Sequence, residues 1–146
     1  MSLLSALSVS ASGMAAQRTR AELLVQNLAN ADTTRTPEGG PYRRRDVVFE
    51  SDPLETSFST VFDSQIGAQS TGVRVADVLV DTREPERAYM PGHPDADKNG
   101  YVALPRISAP EEMVDLLGAT RNYEANIAAM SAVKDMIQRS LDLFQS

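Results

Sequence analysis

The sequence predicts a mainly α chain with a small β part, in which long N- and C-terminal helices pair as a coiled-coil hairpin. Three observations carry this. Apolar residues recur at steps of three and four over residues 2–28 and again over 108–144, the spacing of a helix seam. The chain between them is rich in turn residues and holds only short strand-like runs. Large core-filling residues are scarce, with no Trp and 5% aromatics, which favours thin helix-on-helix packing over a deep core. The chain therefore divides into a terminal helical coiled-coil domain, residues 1–30 and 108–146, and a loop and small β-rich middle domain, residues 31–107.

In chain order, the first helix carries Leu4, Leu7, Ala11, Met14, Arg18, Ala21, Val25 and Leu28 on one heptad row. Its length is roughly 40 Å at 1.5 Å per residue. Its other faces hold Ser, Gln and Thr but few charges, which suits a helix covered on more than one side. Asn30 is placed to end it through a left-handed conformation. Residues 30–41 read as an ordered loop. Residues 42–49 read as a strand, residues 50–72 as a long mobile loop, and residues 73–80 as the clearest strand. The valine alternation in that strand shifts phase between Val75 and Val78, which predicts a bulge. Residues 81–107 are turn-rich, with a short extended piece at Tyr101–Leu104.

The C-terminal helix starts after Ser108. Ser108 and Glu111 have the spacing of a capping box, and Pro110 sits in the first turn, where its missing N–H does no harm. Met113, Leu116, Thr120, Tyr123, Ile127, Met130, Lys134, Ile137, Leu141 and Phe144 then form a seam of about 55 Å, with Thr120 and Lys134 as polar interruptions. Paired alone, two such helices bury little apolar area against the entropy of ordering them. The two terminal helices are therefore expected to be wholly or partly disordered in an isolated monomer and to fold on assembly.

The net charge of −6 argues against a general nucleic-acid binder. Residues 1–50 hold six basic and five acidic residues, and residues 51–146 hold eight and fifteen, a mild asymmetry of +1 against −7. With no cysteine, disulfides and thiolate chemistry drop out. No apolar run is long enough to span a membrane. No Lys or Arg precedes Arg18, so the N-terminus does not read as a cleavable secretory signal.

The chemistry-bearing motifs are weak. Asp95, Asp97, Asn99 and Gly100 match the first half of a calcium loop, but Arg106 stands where a bidentate Glu belongs. A turn held by Asp and Asn side chains is the better reading. His93 has no Cys or second His beside it. Glu111 and Glu112 stand at a helix N-terminus, where the macrodipole accounts for them. Arg43–Arg45 is one basic cluster in an acidic chain, best read as strand arginines that are solvated or bridge subunits. No catalytic residue, metal ligand or cofactor is nominated, and the chain is not expected to be an enzyme.

Asn27-Leu-Ala29-Asn30-Ala-Asp-Thr33 resembles the signature of bacterial flagellar rod and hook axial proteins. Thr33 through Pro37, Gly39, Gly40 and Tyr42 extends the likeness to the proximal rod type. His93-Pro-Asp-Ala-Asp-Lys-Asn-Gly-Tyr-Val102, Glu111–Asp115 and Arg121–Asn126 add to it. Arg106 after Pro105 departs from the family pattern. The resemblance implies a structural subunit of the basal-body rod. Such subunits assemble helically with copies of themselves and other rod proteins on the basal-body ring and export-gate base. They transmit torque and line the export channel, with the paired helices as inner core. It also implies passage through the flagellar type III export apparatus without a cleaved signal, and residence in the periplasm-spanning rod. Asn27 and Asn30 are expected to bond backbone at the helix end. The expected assembly interface is Leu4, Leu7, Met14, Val25 and Leu28 with Met113, Leu116, Tyr123, Ile127, Met130, Ile137 and Leu141. The alternative is a cytoplasmic coiled-coil adaptor or export chaperone.

Overall fold

The computed structural model describes residues 3–53 and 71–145. Helix α1 spans Leu3–Ala29 and helix α2 spans Ala109–Gln145. Between them lie two antiparallel hairpins, β1 (Arg45–Pro53) with β2 (Thr71–Val80), and β3 (Glu86–Tyr89) with β4 (Tyr101–Leu104). The expected mainly α architecture, two long paired helices with a small β region, is the one observed.

Helix α1 is the hub. It packs along α2 and also against both β1 and β2, whereas α2 rests on α1 alone among the described elements. This explains the low charge of α1. Its Ser12 hydroxyl accepts the Val73 amide at 3.1 Å, so a polar residue on its flank joins it to the β layer. The contact with α2 runs over small residues. Ser10 and Ala16 are buried, and between them a Cβ on Gly13 would stand 3.1 Å from Asn126 Oδ1. The facing row on α2 is Glu112, Leu116, Ala119, Asn126, Met130, Val133 and Ile137, of which Glu112, Ala119 and Val133 are buried. Small side chains let the helix axes approach closely, so packing replaces bulk.

This inner row corrects the heptad reading. It too follows steps of three and four, but sits about one residue off the expected seam. It shares Leu116, Met130 and Ile137 with that seam and leaves Met113, Ile127 and Leu141 exposed. On α1, Leu4 and Val25 are likewise exposed while Leu24 and Asn27 are buried. The buried apolar core among the described residues is Ala16, Leu24, Val102, Ala119 and Val133.

The ends of the helices also differ from expectation. Asn30 terminates α1 without a left-handed backbone, since positive φ among the described residues occurs only at glycines. Its side-chain amide instead donates to the Gln26 carbonyl at 2.8 Å, which also accepts the Asn30 backbone amide at 3.1 Å. At α2 the Ser108 carbonyl accepts the Glu112 amide at 3.0 Å. The Ser108 hydroxyl makes no capping bond among the described residues, and the adjacent Glu112 is turned into the protein.

The first hairpin is longer than expected, beginning at Arg45 and running to Pro53, with β2 starting at Thr71. So residues 50–53 and 71–72 are strand, and the rest of the expected mobile loop lies outside the described residues. The bulge falls where the phase shift predicted it. Val48 pairs with Asp77 and Phe49 with Val75, leaving Ala76 as the extra residue. The strand Glu86–Tyr89 lies in the stretch that reads as turn-rich. Its partner is the extended piece Tyr101–Leu104, and the two are clasped by an edge-on Tyr89–Tyr101 contact with centroids 5.3 Å apart.

Gly100, at φ +82°, makes the turn into β4, and a Cβ there would meet Tyr89 Cε2 at 2.9 Å. Gly100→Ala is therefore expected to destabilise this hairpin by about 2 kcal/mol, from the left-handed conformation plus the clash. Loss of the ring-current shifts between Tyr89 and Tyr101 in NMR spectra would report it. Unchanged shifts would show that the turn relaxes without strain.

Candidate functional site

Two features distinguish the structure, a buried polar junction at one end of the helix pair and an apolar groove along the other. The junction is centred on Asn27, which is 0% exposed. Its Nδ2 donates to the Arg45 carbonyl at 2.8 Å and to Glu112 Oε2 at 3.0 Å. Its Oδ1 accepts the Arg45 amide at 2.9 Å and the Tyr42 hydroxyl at 3.2 Å. Both donors and both acceptor positions of the amide are thus used. One side chain ties α1 to β1, to the preceding loop and to α2.

Glu112, 2% exposed, completes the junction. Its Oε1 accepts from Arg44 Nε, and Arg44 also donates to Asp46 at 3.1 Å. Asp115 stands 3.9 Å from Arg44 and 3.6 Å from Arg20 of α1. Burial opposes the charge on Arg44, but its bonds to Glu112 and Asp46 outweigh that and hold its pKa above the ordinary value. Burial pushes the Tyr42 phenol up, with the Arg45 charge pulling against it. A buried carboxylate is tolerable only when paired and hydrogen-bonded, and here it is both.

The motif residues close this junction. Asn30 Oδ1 accepts the Thr33 hydroxyl at 3.2 Å, and the Tyr42 amide donates to the Thr33 carbonyl at 3.0 Å, shutting the neck of the loop. Gly39 and Gly40, at φ 90° and 76°, reverse it beyond Pro37. Ala29 is the last residue of α1. The expectation that Asn27 and Asn30 bond backbone holds for both, and Asn27 does more. Glu112 and Arg44, which spacing arguments passed over, are the other two anchors.

The groove lies along the distal half of the helix pair. Leu7 and Met14 of α1 and Ile127 and Met130 of α2 line a cavity of about 410 Å³. It adjoins a second of about 510 Å³ lined by Leu7, Ile137 and Leu141, with Lys134 shared between them. Six of the twelve expected interface residues are therefore gathered on one side of the pair. The other six, Leu4, Val25, Leu28, Met113, Leu116 and Tyr123, lie outside the groove. Met113 is exposed beside Val114 and Leu117, a second apolar patch near the start of α2. Contiguous exposed apolar surface of this kind marks interaction sites.

The half-match to a calcium loop is a turn. Asp97 Oδ1 accepts the Asn99 and Tyr101 amides at 2.8 and 2.9 Å, and Asp95 accepts the Thr34 hydroxyl at 2.8 Å. The Tyr101 amide above all holds the Asp97 pKa below the usual carboxylate range. His93 Nδ1 accepts the Asp95 amide. No group of three or more potential metal ligands occurs among the described residues.

Asp81 offers a pH test. Arg83 donates to it from its side chain and backbone, lowering its pKa from 3.8 to about 2. A depressed carboxylate pKa stabilises the fold above the unfolded value, and that contribution is lost as pH falls through the folded one. The carboxyl carbon shift of Asp81 is expected to titrate near 2, and Asp81→Asn is expected to flatten the pH dependence of stability below the ordinary carboxylate range. A midpoint near 3.8 would contradict this.

Comparison with known proteins bears on the whole chain. Residues 98–143 match the family described as flagellar basal body rod FlgEFG protein C-terminal. A protein of Bacillus subtilis named flagellar basal-body rod protein FlgC is 41% identical, over 98% of this chain and 99% of its own. One of the same name from Borreliella burgdorferi is 39% identical over 99% of each chain. The Salmonella typhimurium FlgC is 39% identical over 99% of this chain and 100% of its own.

Proposed function

The chain belongs to the FlgC family of flagellar basal-body rod proteins, and from that membership we propose how its structure builds a rod. It is a structural subunit that associates with other basal-body components. The helix pair forms the inner layer of a helical assembly, and each groove receives a helix from a neighbouring subunit. The observation that carries this is the groove beside the helix pair, where Leu7, Met14, Ile127 and Leu141 join Met130 and Ile137 at the edge of the in-chain contact. Filling it would bury several large aliphatic side chains, each worth about 1.5–3 kcal/mol when fully covered.

The polar junction has a complementary role. It fixes the angle at which the β-rich middle region leaves the helices, through directional bonds rather than through packing area. A torque-bearing subunit needs both, an apolar seam to hold neighbours together and a rigid root to keep their angular register. Copies of this chain, other rod proteins and the ring and export-gate base are the proposed neighbours. Export through the flagellar type III apparatus without a cleaved signal is the proposed route. Thin small-residue packing in the distal helix pair supports it, because such packing opens readily for passage through a narrow channel.

The test is fractionation of the host organism with an epitope-tagged copy. The tagged chain is expected in purified basal bodies and to resist extraction with them. Recovery in the cytosol alone would overturn the assignment of the groove to rod assembly.

A further inference from the structure

Beside the junction lies a cleft of about 380 Å³ between the loop 33–42 and the start of β1. Arg35, Arg43 and Arg45 line it, with Pro37, Pro41 and Val80 as apolar walls. We propose that this cleft binds an acidic peptide segment of a neighbouring protein chain, its carboxylates meeting the three guanidinium groups.

The charge is unspent. Among the described residues, Arg43 and Arg45 have no carboxylate partner, while Arg35 has only a distant one, Asp95, at 3.9 Å. Arg43 uses one nitrogen on the Asp81 and Arg83 carbonyls, at 3.0 and 3.2 Å. Those bonds hold it without neutralising it. Arg45 lies over the Tyr42 ring, 5.8 Å from its centroid, and its backbone is pinned on both sides by Asn27.

The cleft is also preformed. The Tyr42–Thr33 and Thr36–Gly40 backbone bonds and the Thr34–Asp95 bond hold its loop. Binding would therefore order few new groups, which favours affinity. Guanidinium forks match carboxylates in pairs, and the apolar walls suit the side chains flanking them. A polyanion surface fits poorly. Glu38 also lines the cleft and the chain as a whole carries −6, so an extended polyphosphate or anionic bilayer meets repulsion beyond the three arginines that a short peptide segment seated in the cleft avoids.

The test converts proximity into a covalent bond. R43K and R45K keep the charge while providing an amine that carbodiimide joins to a carboxylate in contact. Coupling is carried out on lysed host cells, so its outcome does not depend on where the protein resides. Tandem mass spectrometry is expected to find amide links from these positions to Asp or Glu of another chain, at least tenfold above those from the exposed Lys98. R43Q and R45Q, which carry no amine, give the background of the coupling. Links confined to this chain's own carboxylates, a yield no higher than that of Lys98, or adducts on nucleic acid or lipid would overturn the proposal. Presence in basal bodies together with absence of these links would leave the groove assignment intact and remove this one.

Discussion

Glu112→Ala is expected to destabilise the isolated chain by about 3 kcal/mol, the low end for breaking a buried ion pair. The substitution strands two partners at once. Asn27 loses the acceptor at 3.0 Å, and Arg44 loses the carboxylate that offsets its desolvation. Arg44 keeps Asp46 and is a quarter exposed, which holds the loss near that lower limit. The effect should be local as well as global. Amide exchange is expected to accelerate together in residues 20–29, 42–46 and 109–120, because one junction couples them. In the native chain the same residues are expected to exchange slowly and the distal helix halves quickly, since core residues are sparse there. A loss under about 1 kcal/mol, of the order of one ordinary hydrogen bond, would show that the junction is solvated and the three elements independent.

Ile127→Asp is expected to abolish swimming and rod incorporation while leaving the isolated chain about as stable as before. Ile127 is 43% exposed, and exposed substitutions away from special features shift stability by about 0.5 kcal/mol or less. In the assembly the same residue would lie under a neighbour's helix. There the loss of aliphatic burial and the desolvation of a carboxylate add, and both recur at every subunit contact. Leu116→Asp should have the same phenotype for a different reason. Leu116 is half-buried in the row facing α1, so that variant is expected to weaken the helix pair itself. The contrast between the two, measured by chemical unfolding and by motility on soft agar, separates assembly from folding. Normal swimming by the Ile127 variant would count directly against the groove.

The helices were legible because three–four periodicity over four heptads has no competing explanation. Which face turned inward was not. Apolar spacing marks every sticky row, and this chain has two, one for its own partner helix and one left uncovered. The inner row is marked by smallness, at Ser10, Gly13, Ala16 and Ala119, a signal that hydrophobicity counts pass over. The bulge at Ala76 could be read from the valine phase. Strand Glu86–Tyr89 could not, since four residues with two charges carry no alternation. The junction was half visible. Asn27 and Asn30 stood out by motif, but Glu112 looked like a helix-start carboxylate, and its pairing with Asn27 joins residues 85 apart in sequence. A single chain without side-chain geometry offers nothing to bridge that distance.

The central claim is that the groove along the distal helix pair is a socket for a neighbouring subunit. An image reconstruction of basal bodies isolated from the host, at a resolution that places side chains, tests it most directly. The account predicts a helix of an adjacent subunit seated between Leu7 and Met14 on one side and Ile127, Ile137 and Leu141 on the other. A reconstruction in which this groove faces water, with subunits joined only through their β-rich middle regions, would contradict it.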